Sequence, residues 1–91
     1  MVLKKRKICK NLSSKGFEED RSKDHIYFRY YHNGKKTRYF TKLSHGGTEI
    51  TDSLINVMAR QLQLKKAEFV NLVECSLSKE ELLEIYIEKG L

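Results

Sequence analysis

Residues 25–43, HIYFRYYHNGKKTRYFTKL, decide the fold of this chain. Two runs rich in aromatic and β-branched residues flank the dipeptide Asn33-Gly34. Such residues favour strands, and Asn-Gly is the pair that a two-residue type I′ turn requires, because both central residues adopt positive φ. We therefore predict an antiparallel hairpin in which Ile26 lies opposite Thr41.

Strand alternation sorts the side chains of this hairpin onto two faces. The mostly apolar face is predicted to pack on helices, and it carries Ile26, Phe28, Tyr30, Thr37, Tyr39, Thr41 and Leu43. The other face carries His25, Tyr27, Arg29, Tyr31, Lys36, Arg38, Phe40 and Lys42. Because this second set mixes cations, aromatic rings and an imidazole, we interpret it as a binding surface in contact with solvent. The predicted register places Lys42 directly across from His25.

Helical patterns lie on both sides of the hairpin. The segment from about Leu3 to Ser14 has an apolar stripe, and Gly16 follows it as a C-terminal cap. Residues 17–21 read as a short edge strand. After the hairpin, Thr51 is the predicted N-cap of a helix whose apolar stripe is Leu54, Ile55, Met58 and Leu62. A capping box at 78–81, SKEE, opens a last helix. The prediction is an α+β domain with a small antiparallel three-stranded sheet and helices on one face.

Length and composition exclude several classes of protein. A chain of 91 residues with 40% hydrophobic residues is long enough for one modest core. No apolar run exceeds three residues, so neither a membrane span nor a secretory h-region is expected, and we predict a cytoplasmic protein. Two distant cysteines do not suggest a disulfide framework. No histidines or carboxylates have metal-ligand spacing, so we expect no metal and no cofactor.

The charge is divided unevenly along the chain. Residues 1–46 hold 13 Lys and Arg against 4 Asp and Glu, whereas residues 47–91 hold 5 against 8. A basic half of this kind predicts a polyanionic partner, and nucleic acid is the usual one. The alternative is that the excess charge serves solubility alone.

Several motifs, taken in order, resemble the HicA family of small bacterial and archaeal toxins. Residues 7–19, KICKNLSSKGFEE, resemble the family's first helix and the Gly-Phe that closes it. Residues 25–28, HIYF, resemble the start of its histidine-bearing strand, and residues 45–50, HGGTEI, resemble its His-Gly-Gly-Lys-Glu loop. Residues 54–64 and 68–69 resemble the closing helix and its tail. The resemblance implies a double-stranded-RNA-binding-domain-like α-β-β-β-α fold over residues 1–69. Residues 70–91 have no counterpart in the family pattern, and we predict that they form a helical extension packed on the same core.

The resemblance also implies a function. Members of this family cleave RNA with the strand histidine, which corresponds to His25 here. A HicB-like antitoxin protein inhibits them. Histidine suits the task because it changes charge near neutrality and can accept a proton from a ribose 2′-hydroxyl. This chain departs from the family where Lys23-Asp24 replaces the Gly-Ser before the histidine.

The predicted partner is RNA, either double-stranded or messenger RNA, and cations and rings around His25 complete the predicted RNA site. Tyr27, Tyr31 and Phe40 can stack on bases, or can stabilise the sheet by cross-strand packing. The lysines of the first helix can contact phosphates, or can form a solvated surface. The predicted nucleic-acid-binding set is Lys4, Lys5, Lys7, Lys23, Tyr27, Arg29, Tyr31, Lys36, Arg38, Lys42 and His45. Three hypotheses stay open: a HicA-like endoribonuclease toxin, a non-catalytic RNA- or DNA-binding module, and a protein-interaction domain.

Overall fold

The computed structural model describes residues 1–22 and 24–91. Its elements in chain order are β1 (Val2–Lys4), α1 (Lys5–Ser14), β2 (Phe17–Asp20), β3 (His25–His32), β4 (Lys35–Ser44), β5 (Glu49–Thr51), α2 (Asp52–Gln61), α3 (Lys66–Val73) and α4 (Lys79–Glu88). Strands β2, β3 and β4 form an antiparallel three-stranded sheet, and β1 pairs with β5 in a separate two-stranded sheet. The predicted α+β class is confirmed.

The hairpin turn has the predicted chemistry, but the register beyond it differs. Asn33 and Gly34 have φ values of 53° and 76°, as a type I′ turn requires. Past a β-bulge between Arg29 and Tyr31, Ile26 pairs with Leu43, so its predicted pairing with Thr41 is wrong. The bulge places two additional residues in β4, and an even shift leaves every side chain on its predicted face.

The side chain of Thr37 supports this bulge. Its hydroxyl donates a hydrogen bond to the carbonyl oxygen of Tyr30 at 2.7 Å and accepts one from the backbone N–H of Tyr39 at 3.2 Å. A hydroxyl therefore provides partners for backbone groups at the irregularity. The sequence contains no separate signal for this bulge, because threonine is equally common in regular strands.

The apolar face of the hairpin is buried as predicted. Ile26, Phe28, Tyr30, Tyr39, Thr41 and Leu43 all lie in the protein interior. All of these except Thr41 pack in one hydrophobic cluster with residues from the helices, including Ile8, Leu12, Ile55, Met58, Phe69 and Leu82. Burial of this apolar surface is the main force that holds the sheet against the helices.

The N-terminal segment is not helical from Leu3 as predicted. Residues 2–4 form β1, in which Leu3 pairs with Ile50 and is buried, and α1 begins only at Lys5. This pairing joins segments almost fifty residues apart, so local periodicity cannot reveal it. On α2, Ile55 and Met58 are buried as predicted, but Leu54 is 49% exposed because it points away from the core.

The last two helices contribute to the same core as the sheet. The ring of Tyr86 on α4 stacks on Tyr39 with centroids 3.7 Å apart, and its hydroxyl donates a hydrogen bond to the carbonyl oxygen of Leu62 at 2.9 Å. Burial raises the pKa of the Tyr86 phenol well above its ordinary value. The predicted capping box is confirmed: the backbone N–H of Glu81 donates to the Ser78 hydroxyl, and the Glu81 carboxylate accepts from the backbone N–H of Ser78.

Replacing Gly16 with alanine is expected to lower the free energy of unfolding by about 1–2 kcal/mol. Gly16 has a φ of +102°, and a β-carbon there would lie 3.1 Å from a ring carbon of the buried Tyr30. The measurement is urea unfolding followed by circular dichroism. Gly46→Ala is the matched control, because a β-carbon at that position meets nothing within 4 Å. Equal stability of the two variants would contradict the strain assigned to Gly16.

Candidate nucleic-acid interface

The outer face of the three-stranded sheet, formed by His25, Tyr27, Arg29, Tyr31, Lys36, Phe40 and Lys42, is the candidate site. Along β3 its side chains are half-buried, and along β4 they are exposed, in alternation with the buried inward residues. The sheet therefore displays one imidazole, three aromatic rings and three cations to solvent. The predicted division of the hairpin into a buried face and a face in contact with solvent is confirmed.

Two rings and a guanidinium form the centre of the outer face. The centroids of Tyr27 and Phe40 are 6.5 Å apart, with 34° between the ring planes. The guanidinium carbon of Arg29 lies 4.8 Å from the centroid of Tyr27, which is a cation–π distance. Because Phe40 is 43% exposed, a large apolar ring is available to solvent beside these groups.

Arg29 is held in place by Asp20. Its Nη1 donates to Asp20 Oδ2 at 3.0 Å, while Asp20 Oδ1 accepts hydrogen bonds from the backbone N–H and the hydroxyl of Ser22 at 2.9 and 2.6 Å. The hydrogen bonds from Ser22, with that from Arg29, lower the pKa of Asp20 to about 2. The carboxylate is therefore ionised near neutrality and compensates part of the Arg29 charge.

The outer face changes its charge from one edge to the other. Strand β2 places Glu18 opposite Arg29 and Asp20 opposite Tyr27, so this edge carries carboxylates. Strand β4, with the sequence KKTRYFTKLS, has no acidic residue and exposes Lys36 and Lys42. A polyanion would consequently lie along β4 rather than across the whole sheet.

Arg38 lies at the boundary of this surface. Its guanidinium carbon is 4.6 Å from the ring centroid of Tyr39, and its Nη2 donates to the Tyr39 hydroxyl at 2.7 Å and to the carbonyl oxygen of Lys89 at 2.8 Å. These contacts attach the end of α4 to the sheet. Arg38 nevertheless lines a shallow cavity of about 360 Å³ together with Tyr27, Arg29, Lys36, Thr37 and Phe40.

His25 lies at the end of β3, where its neighbours differ from the prediction. It pairs with Ser44, and Lys42 pairs with Tyr27, so the expected placement of Lys42 directly across from His25 is wrong because the bulge shifts the register by two residues. His25 and Lys42 nevertheless line one cavity of about 200 Å³. The His25 ring meets Tyr27 edge-on at a centroid distance of 6.5 Å.

Gln61 is a residue of this cavity that sequence reasoning missed. It also lines the cavity of His25 and Lys42, and its Oε1 accepts hydrogen bonds from the Thr41 hydroxyl at 2.7 Å and the Lys42 backbone N–H at 3.4 Å. Gln61 thus joins α2 to β4 and positions the backbone that carries Lys42. It comes from a helix almost twenty residues away, so no local pattern could have identified it.

Two of the remaining predicted cations, Lys4 and Lys5, lie on a second basic surface. Lys4 and Lys5 line a groove of about 610 Å³ with Arg6, Cys9, Arg21, Gly47 and Thr48, and the outer face contributes none of these residues. Lys5 is buried, and its Nζ donates to the carbonyl oxygen of Gly46 at 3.2 Å, which anchors the loop that carries His45. Sequence reasoning did not place Arg21 in the predicted set, and its guanidinium pairs with Glu19.

Not every predicted contact residue remains available to a ligand. The Nζ of Lys7 lies 2.9 Å from a carboxylate oxygen of Glu74, which attaches α1 to the end of α3. Lys4 pairs more loosely with Glu49 at 3.6 Å. Lys23, also predicted to bind nucleic acid, lies outside the described residues. Tyr31 lies on the outer face, where it pairs with Lys36.

Cys9 and Cys75 are free thiols, and burial raises the pKa of Cys9. Within residues 1–22 and 24–91, no three His, Cys, Asp or Glu side chains are grouped so that they could hold a metal ion. Of the helices in these ranges, none has the length and apolar character needed to cross a membrane.

Comparisons with known proteins return no relative. No family model matches this chain, and no curated protein or solved structure matches it significantly. The resemblance to the HicA family therefore depends on the sequence motifs quoted above.

Proposed function

We propose that this chain is an RNA-binding protein that cleaves RNA at the end of the outer face, with His25 as the general base. The observation that carries this proposal is that His25 and Lys42 line one cavity and that the ring of Tyr27 lies edge-on to the His25 ring. A base and a cation at the end of a basic, aromatic surface are the groups that cleavage of a phosphodiester requires.

The chemistry follows from the two side chains. The neutral imidazole of His25 accepts the proton of a ribose 2′-hydroxyl, and that oxygen attacks the adjacent phosphorus. The bond from phosphorus to the 5′-oxygen then breaks, and the departing oxygen takes a proton from the imidazolium or from water. The products are a 2′,3′-cyclic phosphate and a 5′-hydroxyl. The ammonium of Lys42 stabilises the negative charge on the phosphoryl oxygens as it increases in the transition state.

The HicA resemblance extends this proposal to a biological role. It suggests a cytoplasmic toxin that acts on messenger RNA and is neutralised by a HicB-like antitoxin protein. The motifs at 7–19, 25–28 and 45–50 support this part of the proposal. The replacement of Gly-Ser by Lys23-Asp24 before the histidine is the main difference from the family pattern.

A non-catalytic RNA- or DNA-binding module is the second candidate. It is favoured by the edge-on contact between His25 and Tyr27, because an imidazole packed on a ring can serve as part of the binding surface alone. The pairing of Lys42 with Tyr27 rather than with His25 agrees with this alternative.

Incubation of the wild-type protein with a 5′-labelled, unstructured RNA tests the proposal. We expect cleavage that continues in the presence of a chelator and leaves 2′,3′-cyclic phosphate ends. The matched control is the same strand with deoxyribose at every position, which lacks the nucleophilic hydroxyl and is expected to stay intact. RNA that remains intact while it is bound would favour the non-catalytic candidate, and cleavage of the deoxyribose strand would contradict the mechanism.

A further inference from the structure

We infer that the substrate is unpaired RNA, one base of which stacks on Phe40 and Tyr27 so that the neighbouring phosphodiester lies at His25 and Lys42. This inference rests on the proposed function and names its substrate class. Its basis is the arrangement of rings, cations and imidazole along the outer face.

The exposure of the Phe40 ring is the first observation. It is an apolar ring on the most basic strand of the chain, and 43% of it is exposed. Burial in the core does not account for this ring, because the inward neighbours Tyr39 and Thr41 are the ones that fill the interior. A ring displayed among cations is the pattern by which proteins stack single-stranded nucleic acid.

The order of side chains along the sheet is the second observation. His25 lies at the strand end, the pair Tyr27 and Lys42 comes next, and the pair Arg29 and Phe40 follows. The two rings are 6.5 Å apart, and the imidazole lies 6.5 Å from the Tyr27 ring on its other side. A nucleotide base that stacks on Tyr27 and Phe40 therefore places its sugar-phosphate backbone close to Lys42, which pairs with Tyr27, and to His25, the next residue of β3 on the same face.

The charge gradient gives the third observation. Because β2 carries carboxylates and β4 carries cations, the basic part of the outer face is a single strip about one strand wide. One phosphate backbone fits on such a strip. A duplex has two backbones, and one of them would approach the carboxylates of Glu18 and Asp20. In a duplex the bases are also stacked on one another, so their faces cannot reach Phe40.

Binding of matched oligonucleotides tests the inference. The probes are a 2′-O-methyl single strand, which lacks the hydroxyl nucleophile, the duplex of the same sequence, and a single strand with abasic positions at its centre. We expect the wild-type protein to prefer the single strand. Phe40→Ala is expected to weaken single-strand binding about tenfold and to leave duplex binding unchanged. Ile87→Ala, a control at another exposed apolar side chain, is expected to change neither.

A tryptophan at position 40 supplies a second readout. The chain contains no tryptophan, so Phe40→Trp introduces a single reporter on the outer face. We expect its fluorescence to be quenched by the single strand but not by the abasic strand. Preference for the duplex, or equal single-strand affinity of wild type and Phe40→Ala, would overturn the inference and leave RNA binding intact. If neither the single strand nor the duplex binds to the wild-type protein, both this inference and the proposed function are wrong.

Discussion

The Tyr86→Ala variant is expected to lose about 3–5 kcal/mol of unfolding free energy, the range observed when a buried aromatic residue is truncated. Tyr86 is fully buried, stacks on Tyr39, and meets Tyr30 with centroids 4.9 Å apart. Truncation would leave a cavity between α4 and the sheet and would remove the donor to the carbonyl oxygen of Leu62. This loss is large because domains of this size are stable by only about 5–15 kcal/mol.

Urea unfolding followed by circular dichroism measures this effect. Ile87→Ala, one position along the same helix and 57% exposed, is the matched control and is expected to change stability by less than about 0.5 kcal/mol. Tyr86→Phe keeps the ring and is expected to lose only about 1 kcal/mol, the contribution of the hydrogen bond. A Tyr86→Ala variant that is unfolded without denaturant would agree with the prediction. A loss below about 1 kcal/mol would show that α4 is not part of the core.

His25→Ala is expected to reduce the rate of RNA cleavage about a thousandfold while RNA affinity stays within about threefold of wild type. The imidazole is the proposed proton acceptor, and no other histidine lines the cavity that contains Lys42. We expect RNA affinity to depend mainly on the rings and cations farther along the outer face. A gel assay of the labelled RNA gives the rate, and fluorescence anisotropy with the 2′-O-methyl strand gives the affinity.

His32→Ala is the matched control for this variant. His32 lies at the opposite end of the same strand, next to the Asn33-Gly34 turn, and its ring contacts only the neighbouring Asn33 at 3.3 Å among the hydrogen bonds described. We expect it to cleave RNA at the wild-type rate. If His25→Ala were as active as wild type, the catalytic role of His25 would be wrong. Expression of the two variants in a bacterial host extends the comparison, since only the wild type and His32→Ala are expected to slow growth.

The candidate site was partly predictable from sequence. Alternation placed His25, Tyr27, Arg29 and Lys42 on one face, and a register shift of two residues did not disturb that assignment. Their mutual positions were not predictable, because the bulge moves the residues of β4 from Phe40 onward by two positions along β3. The role of Arg38 also depends on the bulge and on the end of α4, which approaches only in the folded chain.

Local sequence determined most elements of this protein, whereas tertiary packing determined the strands β1 and β5 and how all the elements meet. The positive φ of Asn33 and Gly34, the capping box at Ser78 and the alternation along β3 and β4 all arise from interactions within a few residues, so the sequence alone predicts them. The pairing of β1 with β5, the stacking of Tyr86 on Tyr39 and the contact of Gln61 with β4 join distant segments. Such contacts form because the whole core buries apolar surface at once, and no local pattern records which distant partner that burial selects.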